Sequence, residues 1–171
     1  MSAKLVDLRV LVVDDNFHMR KIVAEVVRAI GVKQVEECSD GAQALDCLRQ
    51  WRADVAIVDF NMSPIDGVEF TRLVRLSPDS VDPFLPIIML TAHSERARVE
   101  EARDAGVTEF ILKPVTAQSI IGRLNAIINN PRPFVRTDAY FGPDRRRRTS
   151  PDYDGPRRRR EDGPQDEAAN G

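Results

Sequence analysis

The chain has 171 residues and a near balance of 25 Lys and Arg against 27 Asp and Glu, enough for one domain with a core and a remainder but too little for two. No run of 18 apolar residues occurs, and nothing behind Met1-Ser2-Ala3-Lys4 resembles a secretion signal, so a soluble cytoplasmic protein without membrane insertion is expected. The charge is unevenly divided. Residues 1–130 carry 15 Lys and Arg against 19 acids, a net of −4, whereas residues 131–171 carry ten Arg, no Lys and eight acids, a net of +2, with six of the 11 prolines. Two parts are expected: a globular domain over 1–130 and an arginine-rich extension over 131–171.

Leu8 to Val13 reads as a first strand that runs into Asp14-Asp15. From Asn16 to Ile30 the apolar positions Ile22, Val23, Val26, Val27 and Ile30 recur at helical spacing, and Gly31 stops the helix. A short strand over Gln34 to Cys38 leads through Asp40-Gly41 into a helix carrying Ala44, Leu45 and Leu48. Val55 to Val58 is a buried strand that ends at Asp59, and Gly67 to Leu76 forms the next helix. Ser77 to Pro86 is loop; Ile87 to Leu90 is a strand ending at Thr91; Ser94 reads as the N-cap of a helix to Ala105 that is poor in large apolar residues. Glu109 to Leu112 is the last strand, ending at Lys113-Pro114, and Ile120, Ile121, Leu124, Ile127 and Ile128 mark the last helix. Cys38 and Cys47 lack metal-ligand spacing and read as small core side chains, and His18 and His93 belong to no ligand or triad pattern.

Five strand–helix units imply an α/β fold with a parallel sheet and helices on both faces, and the order 2-1-3-4-5 is favoured at this size. Four strands then end side by side in polar residues, at the edge where open α/β sheets place their working groups. Each residue alone could be a cap, a turn residue or a surface charge; the set at matching strand ends points to chemistry. Asp59 is the candidate nucleophile, because a carboxylate can form an aspartyl phosphate. Asp14, Asp15 and Asp59 repel one another unless a hard cation with oxygen ligands joins them, for which Mg²⁺ is suited, with the backbone carbonyl of Asn61 as a further ligand. Lys113 supplies a compact positive charge to phosphoryl oxygens and Thr91 a hydroxyl.

The motifs Val-Val-Asp14-Asp15, Asp59-Phe-Asn-Met-Ser-Pro-Ile-Asp-Gly67, Leu-Thr91-Ala92 and Phe110-Ile-Leu-Lys113-Pro114 resemble the response-regulator receiver family, the CheY-like domains of flavodoxin-like fold, over residues 8–130. The resemblance implies Mg²⁺-dependent phosphorylation of Asp59 by a histidine kinase or phosphotransfer protein, and a signalling module rather than a turnover enzyme. It further implies a switch in which Thr91 closes on the phosphoryl group while Phe110 changes its burial. An output surface over residues 94–129 and a cis Lys113-Pro114 peptide bond are implied as well.

The extension is too poor in apolar residues to offset ordering some 40 residues at about 1 to 2 kcal/mol each, so by itself it should lack fixed structure. It is nevertheless duplicated. Asp138-Ala-Tyr140-Phe-Gly-Pro-Asp144 followed by Arg145, Arg146, Arg147 and Arg148 recurs as Asp152-Tyr153-Asp-Gly-Pro156 followed by Arg157, Arg158, Arg159 and Arg160. Arginine without lysine favours planar, bidentate and stacking contacts; tyrosine offers a ring for a base; aspartate can accept from the N–H edge of guanine while arginine takes O6 and N7. The ligand this composition fits is small and rich in guanine and phosphate.

A CheY-like domain with such an extension resembles the Cle proteins, CheY-like effectors of cyclic di-GMP (c-di-GMP). This implies c-di-GMP binding by Tyr140, Asp144, Arg145–Arg148, Asp152, Tyr153 and Arg157–Arg160. It also implies action on a flagellar motor switch protein, controlling motility and surface attachment, with the flagellated cell pole as the place of work. The second repeat has no Asp directly after Gly-Pro, which leaves its guanine-reading acid open. Arg132-Pro-Phe-Val-Arg136 matches an RxxxR spacing, a weak signal in so arginine-rich a segment. Two other readings stand beside this one: a phosphorelay receiver with an idle extension, and a nucleic-acid tether. For the tether a net charge of +6 over 132–160 is modest, so nucleic acid is the less favoured partner.

Overall fold

A strand covered on both faces reads as a near-continuous apolar run, and the central strands of this chain do so up to the polar residues that end them. The computed structural model describes residues 3–146. It contains a parallel sheet of β1 (Arg9–Val13), β2 (Gln34–Cys38), β3 (Val55–Asp59), β4 (Ile87–Thr91) and β5 (Glu109–Leu112), in the order β2-β1-β3-β4-β5. All five residues of β3 and of β4 are buried, whereas β2 at the edge alternates. The expected fold is therefore found, with strand bounds within a residue of the expected ones.

Two layers of helices cover the sheet. Helices α2 (Phe17–Ala29) and α6 (Ala117–Asn129) lie on one face, where Val23, Val27, Ile120 and Leu124 meet Val10, Val12, Val55 and Ile57. On the other face α3 (Gly41–Gln50) and α4 (Gly67–Leu76) bring Ala44, Phe70 and Val74 against Leu11, Val13, Ala56 and Val58. Alternate residues of β1 and β3 thus feed opposite cores, as the two-residue period of a strand requires. Asn16, Asp40, Asp66 and Thr116 accept backbone N–H bonds at the starts of α2, α3, α4 and α6. A short α1 (Ala3–Val6) precedes the sheet without having been expected.

The segment expected as one helix from Ser94 is divided. A 3₁₀ helix over His93–Arg98 comes first, then α5 (Val99–Ala105), which buries only Ala102 and Ala105 and ends at Gly106. Its tightening has a local cause: the Glu95 carboxylate turns back to accept from the Ala92 N–H at 2.6 Å.

The larger difference lies in the extension. Residues 134–143 have fixed structure: β6 (Phe134–Thr137) and β7 (Tyr140–Pro143) pair antiparallel and pack on the globular domain. Phe134 and Phe141 pack against Phe84 of the loop before β4, the first tilted and the second edge to face, at centroid distances of 5.1 and 5.3 Å. Beneath them Arg75, the second-last residue of α4, is 2 % exposed. Its guanidinium donates twice to the Gly106 carbonyl, at 3.1 and 2.9 Å, and once to that of Pro83 at 2.9 Å; it also lies 5.0 Å from the Phe134 ring. Gly142 has to be glycine, since a Cβ there would sit 2.5 Å from the Tyr140 hydroxyl and 2.9 Å from Gly106 Cα. Few apolar residues suffice because the hairpin borrows a surface already built. Arg75→Met is expected to cost about 2 to 3 kcal/mol, because it strips charge-assisted donors from two carbonyls, and to speed hydrogen exchange across residues 134–143; urea denaturation with exchange mass spectrometry checks both.

Candidate functional site

The C-terminal ends of β1, β3, β4 and β5 lie side by side and deliver Asp14, Asp59, Thr91 and Lys113 to one edge of the sheet. Asp14 and Asp59 are 2 and 4 % exposed, Asp15 is open to solvent, and Thr91 is buried. Carboxylate oxygens of Asp14, Asp15 and Asp59 all lie within 4.8 Å of one another. Lys113 Nζ pairs with Asp59 Oδ1 at 2.5 Å, and the Lys113 N–H donates to the Thr91 carbonyl at 2.8 Å, which ties the last two strand ends together. The Lys113-Pro114 peptide bond is cis, as the resemblance implied. After a loop over residues 60–66 the chain comes back against the end of β3 to start α4, where the Gly67 N–H donates to the Phe60 carbonyl at 3.0 Å. Gly67 permits this, for a Cβ there would meet the Asp59 carbonyl oxygen at 2.5 Å.

The electrostatics follow from burial. Removal from water pushes the Asp14 carboxyl up to about 6, against the pull of the Asn16 N–H and with help from the charge of Asp59. Asp59 is raised for the same first reason, with Lys113 opposing. Burial lowers the Lys113 ammonium, but its pairing with Asp59 outweighs that and leaves it raised. Asp14 Oδ2 is buried with no hydrogen-bond donor among the described residues, and Asp59 Oδ1 has only the ammonium charge beside it. Two buried carboxylates and a third acid, short of donors, are a donor set suited to a hard divalent cation. Asp14, Asp15 and Asp59 could hold such an ion.

Glu95 was not expected here. It is buried beside the cluster, where one of its oxygens accepts from the Asn61 side-chain amide and the other from the Ala92 N–H. Nothing in its spacing marks it, since only the 3₁₀ turn brings it back. Arg98 of the same turn lies 4.8 Å from the Phe60 ring and pairs with Asp66. Phe110 is partly buried against the cluster of Phe60, Val68 and Met89.

Of the extension residues, Tyr140, Asp144, Arg145 and Arg146 lie within the described chain; Arg147, Arg148, Asp152, Tyr153 and Arg157–Arg160 lie outside it. Tyr140 does not present its ring to a base as folded. It is 9 % exposed, its hydroxyl donates to the Pro143 carbonyl at 2.7 Å, and the Arg145 guanidinium covers its ring at 4.0 Å. Arg145 in turn pairs with Asp104 of α5 at 2.5 Å. Both side chains are engaged in docking the hairpin, which is why the ring is closed.

This sheet order with acids, a hydroxyl and a lysine on neighbouring strand ends defines a class of signalling domain. Residues 10–125 match the response regulator receiver domain, and the chain belongs to that family, the CheY-like receivers of two-component signalling. It is 34 % identical over 121 residues to chemotaxis protein CheY-3 of Vibrio cholerae serotype O1, spanning 71 % of this chain and 92 % of that protein. To chemotaxis protein CheY of Pseudomonas aeruginosa it is 34 % identical over 120 residues, 70 % of this chain and 95 % of that one. The solved structure of Vibrio cholerae CheY4 superposes with a TM-score of 0.63 at 32 % identity, covering 70 % and 98 % of the two chains. The receiver domain of a sensor histidine kinase from Pseudomonas aeruginosa, solved with a magnesium ion coordinated in its active site cleft, superposes with a TM-score of 0.64 at 26 % identity, covering 72 % and 98 %. The family match ends before the extension begins. Among the described residues no helix is long and apolar enough to cross a membrane.

Proposed function

We propose that the protein is a signalling effector that accepts a phosphoryl group on Asp59, binds c-di-GMP through its arginine-rich extension, and acts on a flagellar motor switch protein in the cytoplasm. Asp14, Asp15, Asp59 and the Asn61 carbonyl hold Mg²⁺; Lys113 and Thr91 receive the phosphoryl oxygens; a histidine kinase or phosphotransfer protein is the donor. In the extension, Asp144, Arg146–Arg148, Asp152, Tyr153 and Arg157–Arg160 serve the nucleotide, while Tyr140 and Arg145 anchor the first repeat to the receiver. The duplicated tyrosine, Gly-Pro and four-arginine unit carries the second-messenger half of this reading.

Calorimetric titration with c-di-GMP, its linear product pGpG and GTP tests it, using the full chain and a chain ending at Arg146 that keeps the docked hairpin. The full chain is expected to prefer c-di-GMP, and removal of residues 147–171 to weaken it at least a hundredfold, about 2.7 kcal/mol. Equal affinity in both chains refutes the assignment. The filled set of Asp14, Asp15, Asp59, Thr91 and Lys113 also favours a simpler reading, a phosphorelay receiver with an idle extension. That reading gains if an Asp59→Ala strain loses its motility response while removal of 147–171 changes nothing.

A further inference from the structure

We propose that the cleft between α6 and the start of the extension is a binding site for a phosphate-bearing guanine nucleotide, in which Arg123 and Glu109 of the receiver contact the ligand together with Arg132, Asp144 and Arg146. The inference rests on the c-di-GMP reading above and adds that the receiver itself forms part of the site.

The cleft, open to solvent on one side, measures about 760 Å³, within the range of roughly 300–1,000 Å³ over which small-molecule sites are built. Glu109, the first residue of β5, accepts from Arg123 Nη1 of α6 at 3.3 Å and pairs with Arg132 Nη2 at 3.4 Å. One carboxylate therefore steadies two guanidiniums, one from the receiver and one from the extension. Their side chains are 49 and 42 % exposed, and a guanidinium has five N–H donors, so both keep donors to offer. Arg146 closes the other wall. Its backbone N–H donates to the Asp144 carboxylate at 2.9 Å, and the Asp144 N–H to the Pro133 carbonyl at 2.8 Å. The Gly-Pro-Asp turn of the first repeat is thereby set against α6 by the same docking that holds Tyr140 and Arg145.

The chemistry around this space is mixed in a specific way. Three guanidiniums are accompanied by two carboxylates and the amides of Asn129 and Asn130. Guanidiniums take phosphodiester oxygens and the O6 and N7 edge of guanine, and carboxylates take its N–H edge. Inorganic phosphate would engage the guanidiniums but, having no N–H edge, would leave the two carboxylates facing its charge without a donor. An ion-pair tether alone accounts for Glu109 with Arg132, but not for the open volume or for the second guanidinium of Arg123 on the same carboxylate.

The test titrates the full chain and its Arg123→Ala and Arg123→Lys variants with c-di-GMP, GTP and inorganic phosphate, and follows hydrogen exchange over residues 123–130 and 134–143. Arg123→Ala is expected to weaken c-di-GMP about tenfold, the loss of one good bidentate contact; Arg123→Lys should be weakened less, and phosphate should bind none of the chains. In the unsubstituted chain c-di-GMP should slow exchange over 123–130. Should Arg123→Ala loosen the 134–143 hairpin, the protection of 123–130 in the unsubstituted chain decides the matter. Unchanged affinity together with unchanged exchange over 123–130 overturns the receiver's share while leaving the c-di-GMP reading in place. An unsubstituted chain that ignores c-di-GMP removes both.

Discussion

Incubated with Mg²⁺ and acetyl phosphate, the full chain is expected to take up one acid-stable, base-labile phosphoryl group, and Asp59→Ala none. In the step, an Asp59 carboxylate oxygen attacks phosphorus, the new P–O bond forms, and the bond from phosphorus to the donor's oxygen breaks, with acetate leaving. Asp14 and Asp15 stand within reach of the same volume, yet they are poor substitutes. Asp14 Oδ1 is tied by the Asn16 N–H at 2.9 Å, whereas Asp59 ends the central strand with Lys113 at 2.5 Å. That ammonium lies against the attacking carboxylate, where it meets an incoming phosphoryl group, so Lys113→Ala should slow uptake by 10²-fold or more, about 2.7 kcal/mol of transition-state stabilisation. Phosphate-affinity electrophoresis and peptide mass mapping read the result. Equal labelling of Asp59→Ala, or label mapped to Asp14, refutes the assignment of the nucleophile.

Asp14→Asn is expected to stabilise the metal-free chain and to abolish its Mg²⁺ binding. The Asp14 carboxyl holds its proton more tightly when folded, near 6 rather than 3.8. The folded chain therefore binds more protons than the unfolded one between those values, and stability from this group falls as pH rises through that window. Asp59 shifts in the same direction. Above pH 6 the charged Asp14 opposes folding by about 1 to 3 kcal/mol. An amide removes that cost, and so does a divalent cation, but only the carboxylate can bind the cation. Urea denaturation in EDTA should show the native chain more stable at pH 5 than at pH 7, with Asp14→Asn losing less over this range because only the Asp59 contribution remains. Calorimetry should show Mg²⁺ affinity of the native chain falling as pH drops below about 6. A destabilised Asp14→Asn would contradict this account.

The receiver was legible because its signals are local. Val55 to Val58 is apolar at every position and ends in Asp59; Asn16, Asp40 and Asp66 stand where helices start; the four polar residues follow strands whose order is the favoured one for five strand–helix units of this size. What escaped reading depends on partners far along the chain. The hairpin over 134–143 has little apolar content of its own, and its docking on Phe84, Arg75 and Gly106 involves residues 35 to 60 positions away. Its Asp138-Ala139 turn lacks the glycine that would have announced a hairpin. Arg75 resembles any last-turn arginine until the Gly106 and Pro83 carbonyls enclose it. Glu95 reaches Asn61 only because the 3₁₀ turn tightens the start of that segment. A tyrosine next to arginines suits a nucleotide base, the expectation for Tyr140 from its sequence, and the same pairing suits the protein surface on which Tyr140 and Arg145 lie.

One feature of the architecture ties the two halves of the protein together. The segment from His93 to Gly106 is clasped at its beginning by Asn61 and Phe60, through Glu95 and Arg98, and at its end by the extension, through Asp104 and Arg145. It works as a balance beam with a weight on each pan. If chemistry at the acidic cluster tilts the beam and so loosens the hold on Arg145 by some factor, then occupancy at the arginine end must alter the cluster by that same factor, because binding free energies couple symmetrically. Two inputs would then meet in one continuous segment of fourteen residues, held by side chains at either end.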